Sequence, residues 1–194
     1  MESIYALALG YLLGSVPFGL ILTQRFGAGD LRTIGSGNIG ATNVLRTGRK
    51  ELAAATLLLD LLKGLAAVWL AQRWWPAAAP VAALGAVLGH CFPVWLGFKG
   101  GKGVATTMGV VLGLAWQLGL VYAATWLVML AITRISSLSG MTAVIAVPVA
   151  AWLLGRPDLV AALGAIAALV VVLHRANIGR LLSGTEPRVG SKGK

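Results

Sequence analysis

The sequence predicts an all-α, polytopic integral membrane bundle of seven transmembrane helices, with the N-terminus outside and the C-terminus in the cytoplasm. Three observations predict it. Of the 194 residues 58% are hydrophobic and only 11% charged, and the mean hydropathy of +0.84 is too high for a soluble domain of this size. The apolar runs approach the length of a membrane span and are separated by short polar, glycine-rich islands. The basic residues fall almost entirely between those runs, and nearly all in the alternate segments that share one side. The expected organisation is one domain over residues 1–194, with a basic cytoplasmic tail from about residue 175.

Ile4 to Leu22 reads as the first span, with Gly10, Gly14 and Gly19 for close helix packing and Pro17 as a kink. The first basic residue is Arg25, so the apolar start lacks the cationic leader of a secretory signal and reads as a retained span. Arg25 to Glu51 is polar. Leu52 to Ala71 is the second span, carrying Asp60 and Lys63 at i and i+3, where they can neutralise each other or serve a route or site. Arg73-Trp74-Trp75-Pro76 has the character of an aromatic belt turn. The third span begins at Pro80, passes Cys91 and is expected to run on to about Leu96.

Val104 to Thr133 is too long for one upright helix, since 30 residues at ~1.5 Å each reach about 45 Å. Gly113, Trp116-Gln117 and Gly119 mark a turn, giving a short fourth helix and a fifth that ends at Arg134. Ser136 to Gly140 is expected as a loop, Met141 to Leu154 as the sixth span, and Leu159 to Leu173 as the seventh after the Gly155-Arg156-Pro157-Asp158 turn. His174 to Lys194 is the polar tail. With seven spans, thirteen of the 16 lysines and arginines lie on the cytoplasmic side, two (Arg73 and Arg156) lie outside, and Lys63 stays within a span. Merging the fourth and fifth helices would send Arg134 and the whole tail outside, against the positive-inside rule.

The net charge of +10 does not form a continuous basic domain, so it speaks for topology and anion binding rather than nucleic acid. A single cysteine, Cys91, excludes an internal disulfide and any cysteine-cluster metal site. His90 and His174 without clustered carboxylates give no zinc site.

Three islands carry the chemistry. Lys99-Gly100-Gly101-Lys102-Gly103 precedes the apolar run from Val104 and Thr106, so its glycines stand where a loop enters a helix. Bare backbone can approach a phosphate there, and a helix N-terminus supplies free N–H groups. It is no Walker loop, because Lys102 is followed by Gly103; a flexible basic loop facing lipid headgroups is the plainer reading. Ser36, Asn38, Thr42, Asn43 and Arg46 offer hydroxyls, amides and a guanidinium suited to phosphate, although turn and capping residues would look alike. His90 and His174 could serve as acid, base or phosphate donor, or simply pack at helix ends. Asn177 would share a helical face with His174. Ser139 could cap a helix or bind substrate. No Gly-x-Ser-x-Gly elbow supports a serine hydrolase.

At these residues the chain resembles the bacterial acyl-phosphate:glycerol-3-phosphate acyltransferases, the PlsY family. The match rests on Gly35 to Asn43, on Gly89-His90 with Phe92-Pro93 leading to Phe98 through Thr106, and on His174 to Ile178 with Arg180 and Glu186. It covers essentially the whole chain. The His-x4-Asp signature of the other large glycerolipid acyltransferase class is absent: Trp95 and Gly179 stand five residues after His90 and His174.

The resemblance implies a multi-pass protein of the bacterial inner membrane with its active site facing the cytoplasm. It would transfer a fatty acyl group from acyl phosphate to the 1-hydroxyl of glycerol 3-phosphate, giving lysophosphatidic acid and phosphate, without cofactor or metal. Ser36, His90 and His174 are the expected catalytic residues. Asn38, Thr42, Asn43, Arg46, Lys99, Gly100, Gly101, Lys102, Gly103, Thr106, Ser139, Asn177, Arg180 and Glu186 are the expected substrate contacts. Lys99 to Gly103 and Ser36 are assigned to the acyl phosphate, and Arg46, Ser139, His174 and Asn177 to glycerol 3-phosphate. A small organic-phosphate transporter is the rival reading, but no internal repeat is visible and the islands gather at one side. A scaffold for anionic lipid would explain the cations and not the serines, asparagines and glycines among them.

Overall fold

The computed structural model describes residues 1–190; Lys192 and Lys194, counted above with the basic tail, lie outside the described residues. Among those described, every regular element is helical: ten α-helices and four short 3-10 turns. Five helical stretches are long and apolar enough to cross a membrane, at Glu2–Arg25, Lys50–Trp74, Pro76–Leu96, Trp116–Thr133 and Ser136–Leu153. A sixth is the pair Pro157–Leu173 and Arg175–Leu182, bent by 59°. Val104–Leu114 is a seventh apolar helix, of only 11 residues.

The first stretch is two helices, α1 (Glu2–Gly14) and α2 (Phe18–Arg25), broken at Ser15-Val16-Pro17. Pro17 has no N–H to continue the ladder. α1 lies against α5 (Ala79–Cys91) along a seam of small residues. A Cβ on Gly10 or Gly14 would overlap the backbone of Ala82 or Ala86, and one on Gly89 would overlap the Tyr11 carbonyl. Without a hydrophobic force between helices in lipid, such backbone contact supplies the packing. Phenolic Oη of Tyr11 donates to Phe92 O (2.7 Å) and accepts from Val94 N (3.1 Å), and Trp95 Nε1 donates to Ser15 O (2.9 Å). These bonds hold the end of α5 to the end of α1. The third span reaches Leu96 as expected, with the α-helix ending at Cys91, Phe92-Pro93 turning the chain and Val94–Leu96 adding a 3-10 turn.

Between α2 and α4 (Lys50–Trp74) lies the first island, with the single-turn helix α3 (Ala41–Val44). α6 (Val104–Leu114) and α7 (Trp116–Thr133) are divided at Ala115, whose φ of −159° and ψ of 118° are extended, inside the expected turn. Gln72 covers the break by donating to Gly113 O (3.0 Å). α6 runs beside α4 with Thr106 against Gly64 and Gly113 against Val68. The chain continues as α8 (Ser136–Leu153), α9 (Pro157–Leu173) and α10 (Arg175–Leu182). Two expectations are corrected. Ser136 to Gly140 is not a loop but the opening of α8, and Arg175 to Leu182 is helical. From there residues 183–190 fold back, pairing Val189 N with Arg134 O (2.7 Å).

Candidate active site

Three sequence-distant segments meet where α6 begins. Lys102 Nζ donates to Asn177 Oδ1, tying the loop before α6 to the first turn of α10. Asn177 Nδ2 in turn donates to Glu186 Oε1 (2.6 Å), which also accepts from Ser137 Oγ (2.6 Å). The other carboxylate oxygen, Oε2, accepts from Arg180 Nε (2.7 Å). Glu186 is therefore the hub of the third island, its side chain only 6% exposed. Burial alone would raise its pKa, but the bonds from Ser137, Asn177 and Arg180 hold the carboxyl below its usual range.

Around this acid the cations outnumber it. Arg180, Arg46 and Arg175 all act electrostatically on half-buried Lys102. Burial and then those three positive charges push the lysine below its ordinary value, and Glu186 alone pulls it up. An excess of positive charge beside a helix N-terminus is an electrostatic vessel for an anion. Arg46 belongs to the first island, which reaches the site a second time through Thr42 Oγ1 and Ser136 Oγ, 3.3 Å apart.

His174 sits at the elbow between α9 and α10, buried, with Nδ1 2.7 Å from Val170 O. A carbonyl only accepts, so Nδ1 carries the proton and Nε2 keeps its lone pair, the form a base requires.

Other expected residues have different work. Asn43 is buried and uses its whole amide on the loop: Oδ1 accepts from Ser36 N (3.1 Å) and Arg46 Nη1 (3.4 Å), while Nδ2 donates to Leu31 O (3.1 Å) and Ile34 O (2.9 Å). It shapes the loop that presents Ser36 and Arg46, both exposed. Asn38 Oδ1 accepts from Gly40 N (2.9 Å) in a local turn. Gly100 N donates to Cys91 O and Gly101 N to His90 O, both at 3.0 Å, so these two amides cap α5 and are not spare for a phosphate. Gly103, at φ 87°, turns the chain into α6, and the N–H groups of Gly103, Val104 and Ala105 have no backbone acceptor outside the helix among the described residues. Thr106 is fully buried against Gly64, and Ser139 is fully buried with Oγ donating to Ile135 O (2.9 Å). Lys99 is exposed. His90 is buried on α5 with Nδ1 facing Asp60, 3.7 Å away. Sequence reasoning passed over Ser137, whose hydroxyl completes the Glu186 hub; only its place in the serine run before the sixth span hinted at a role. Among the described residues no group of three histidines, cysteines or carboxylates is arranged to hold a metal.

A family model described as glycerol-3-phosphate acyltransferase matches residues 4–184. The chain belongs to this family. Among curated relatives, the glycerol-3-phosphate acyltransferase of Erythrobacter litoralis is 65% identical over 187 residues, covering 96% of this chain and 95% of its own. That of Mesorhizobium japonicum is 60% identical over 190 residues, covering 98% and 97%. The crystal structure of PlsY, an integral membrane glycerol 3-phosphate acyltransferase, in its glycerol 3-phosphate form superposes with a TM-score of 0.92 at 38% identity, covering 98% of this chain and 96% of that one. Its lysophosphatidic acid form gives 0.90 at 36% identity with the same coverage. The chain is thus a membrane-embedded glycerol-3-phosphate acyltransferase of the PlsY type.

Proposed function

We propose that this acyltransferase takes its acyl group from acyl phosphate and delivers it to the 1-hydroxyl of glycerol 3-phosphate, releasing lysophosphatidic acid and inorganic phosphate. The observation that carries the reading is the gathering of Arg46, Arg175 and Arg180 around Lys102 beside the opening of α6, with Glu186 the one carboxylate set against them. Both substrates bring phosphate, and the site supplies more positive charge than Glu186 can cancel. The mixed anhydride already carries a good leaving group, so the protein needs chiefly to hold two anions in register and stabilise the oxyanion.

In this reading the acceptor oxygen attacks the acyl carbonyl, the bond from that carbon to the phosphate oxygen breaks, and phosphate leaves. The acceptor's proton passes to His174 Nε2 or to a phosphate oxygen. Near-normal turnover in His174→Ala would assign it to the phosphate. Lys102 and the free amides of α6 hold one phosphate, and Arg46, Arg180 and Asn177 approach the other. Ser36 and Thr42 contribute hydroxyls from the first island, and Lys99 guides anions from the rim. The topology proposed with this is seven spans, counting α1 with α2 and counting α6 by itself. The N-terminus is then outside, and all three islands face the cytoplasm of a bacterial inner membrane. Residues 1–194 form one domain, and the positive-inside rule supports the orientation.

The test is phosphate release by the purified protein in lipid, given acyl phosphate with and without glycerol 3-phosphate, and acyl-CoA as a parallel donor. Release that requires both acyl phosphate and glycerol 3-phosphate and yields lysophosphatidic acid is expected. Turnover with acyl-CoA alone would overturn the donor, and no turnover with either in a folded preparation would overturn the reading.

A further inference from the structure

One buried polar cluster takes no part in this chemistry. On α4, Asp60 Oδ1 lies 2.6 Å from Lys63 Nζ, each side chain 4% exposed. The same ammonium donates to Val16 O (2.8 Å) and stands 5.8 Å from the centre of the Phe18 ring, at the break between α1 and α2. His90 of α5 completes the cluster, with Nδ1 3.7 Å from Asp60 Oδ1. Its other edge supports the glycine loop. A Cβ placed on Gly101 would overlap His90 Nε2, so the imidazole is in contact with the backbone of the residue next to Lys102. The carbonyl of His90 receives Gly101 N at 3.0 Å. A charged pair inside a span is a functional feature by default, and here its reach is sideways, to the α1–α2 break and to the floor of the loop.

We propose that Asp60, Lys63 and His90 form a positioning device for the anion-binding loop. His90 is a wedge, held on one side by the Asp60–Lys63 pair, that sets the height of Gly100 and Gly101 and so the approach of Lys102 to Asn177. It is a positioning residue whose effect falls on the binding of the phosphate-bearing substrate, not an acid or base in the acyl transfer. The inference rests on the proposed function for its kinetic readout only.

The experiment compares the full chain in lipid with His90→Ala, His90→Gln and the charge-neutral double variant Asp60→Asn with Lys63→Met. Steady-state kcat and KM are measured for each substrate across pH, beside direct calorimetric binding of glycerol 3-phosphate and of inorganic phosphate. Displacing a positioned group by about 1 Å can cost up to about a hundredfold, so His90→Ala is expected to raise KM and Kd by about tenfold while kcat stays within about threefold. His90→Gln, which keeps most of the bulk, is expected to recover much of that loss, and the double variant to resemble His90→Ala. A collapse of kcat at unchanged KM, with loss of one limb of the pH profile, would overturn the proposal in favour of acid–base catalysis. Unaltered binding in all three variants would overturn it outright. If His90→Ala does not fold, the other two decide by the same criteria. An inactive wild-type protein would remove the proposed function and leave the binding comparison to judge the wedge.

Discussion

Removing the carboxylate of Glu186 is the most direct way to ask whether the third island is held together by one acid. It accepts from Ser137, Asn177 and Arg180 at 2.6, 2.6 and 2.7 Å. Hydrogen bonds to a charged group contribute about 1.5–3 kcal/mol each after desolvation, but three that share one carboxylate do not add. Removing one partner of a buried ionic group costs about 3–5 kcal/mol. The lower figure, about 3 kcal/mol, lowers the melting temperature of a chain of this size by about 6–12 °C. Glu186→Gln retains an acceptor for Ser137 and Asn177 but turns an amide toward Arg180 Nε, and should cost about half as much, on the same scale for a single charged bond. The carboxyl is held below its usual 4.5, so its stabilisation is complete above that pH and is lost as the pH falls through the lower folded-state value. The assay is a thermal scan in detergent or lipid from neutral pH downward, with KM for glycerol 3-phosphate in parallel. A Glu186→Ala protein with wild-type melting temperature and KM would refute the hub.

Three further outcomes are expected. Lys102 loses its proton below the 10.5 of a free lysine, so affinity for phosphate should fall with rising pH earlier than an ordinary lysine would allow. In Glu186→Gln, which removes the charge that favours the ammonium, that limb should move to still lower pH; KM against pH for both proteins checks this. Gly101→Ala pushes a methyl group into the His90 ring, and should raise KM by about tenfold or more through displacement of Lys102, read by steady-state kinetics. Asn43→Ala removes four hydrogen bonds and leaves the Leu31 and Ile34 carbonyls with one backbone N–H each, a loss of about 2–4 kcal/mol that limited proteolysis of the 31–46 loop and a thermal scan would register.

Much of the fold could be read from the sequence because membrane helices announce themselves by composition. Pro17 marked the first break, the Gly113–Gly119 stretch contained the Ala115 break, and Asp60 with Lys63 proved to be an ion pair. The failures share a cause. Ser136 to Gly140 looked like a loop because serine and glycine favour turns, yet tertiary contact carried the helix through them: Ser139 returns its hydroxyl to Ile135 and Gly140 packs on Val104. Arg175 to Leu182 looked like a tail because its helix is short and one face is polar. The convergence of the islands was legible in their residue types, but their division of labour was not. Asn43 and Asn177 look alike as sequence, and only the partners that long-range folding brings to each separate a loop brace from a member of the cationic site. The glycines of the Lys99 to Gly103 loop likewise suggested free amides, whereas two of them close the end of α5.

The shortness of α6 bears on how a lipid reaches this site. α6 has 11 residues and spans ~16 Å. Its first turn, at Thr106, lies against Gly64, fourteen residues and ~21 Å along α4 from Lys50. The charged floor is therefore sunk well below the end of its neighbouring helix. Lifting an acyl chain out of a bilayer costs about 0.8 kcal/mol for each methylene exposed, or about 8 kcal/mol for ten of them. In the proposed reaction a sunken floor avoids that cost: the donor's chain would stay among the lipid tails while the small water-soluble acceptor travels to the charged floor.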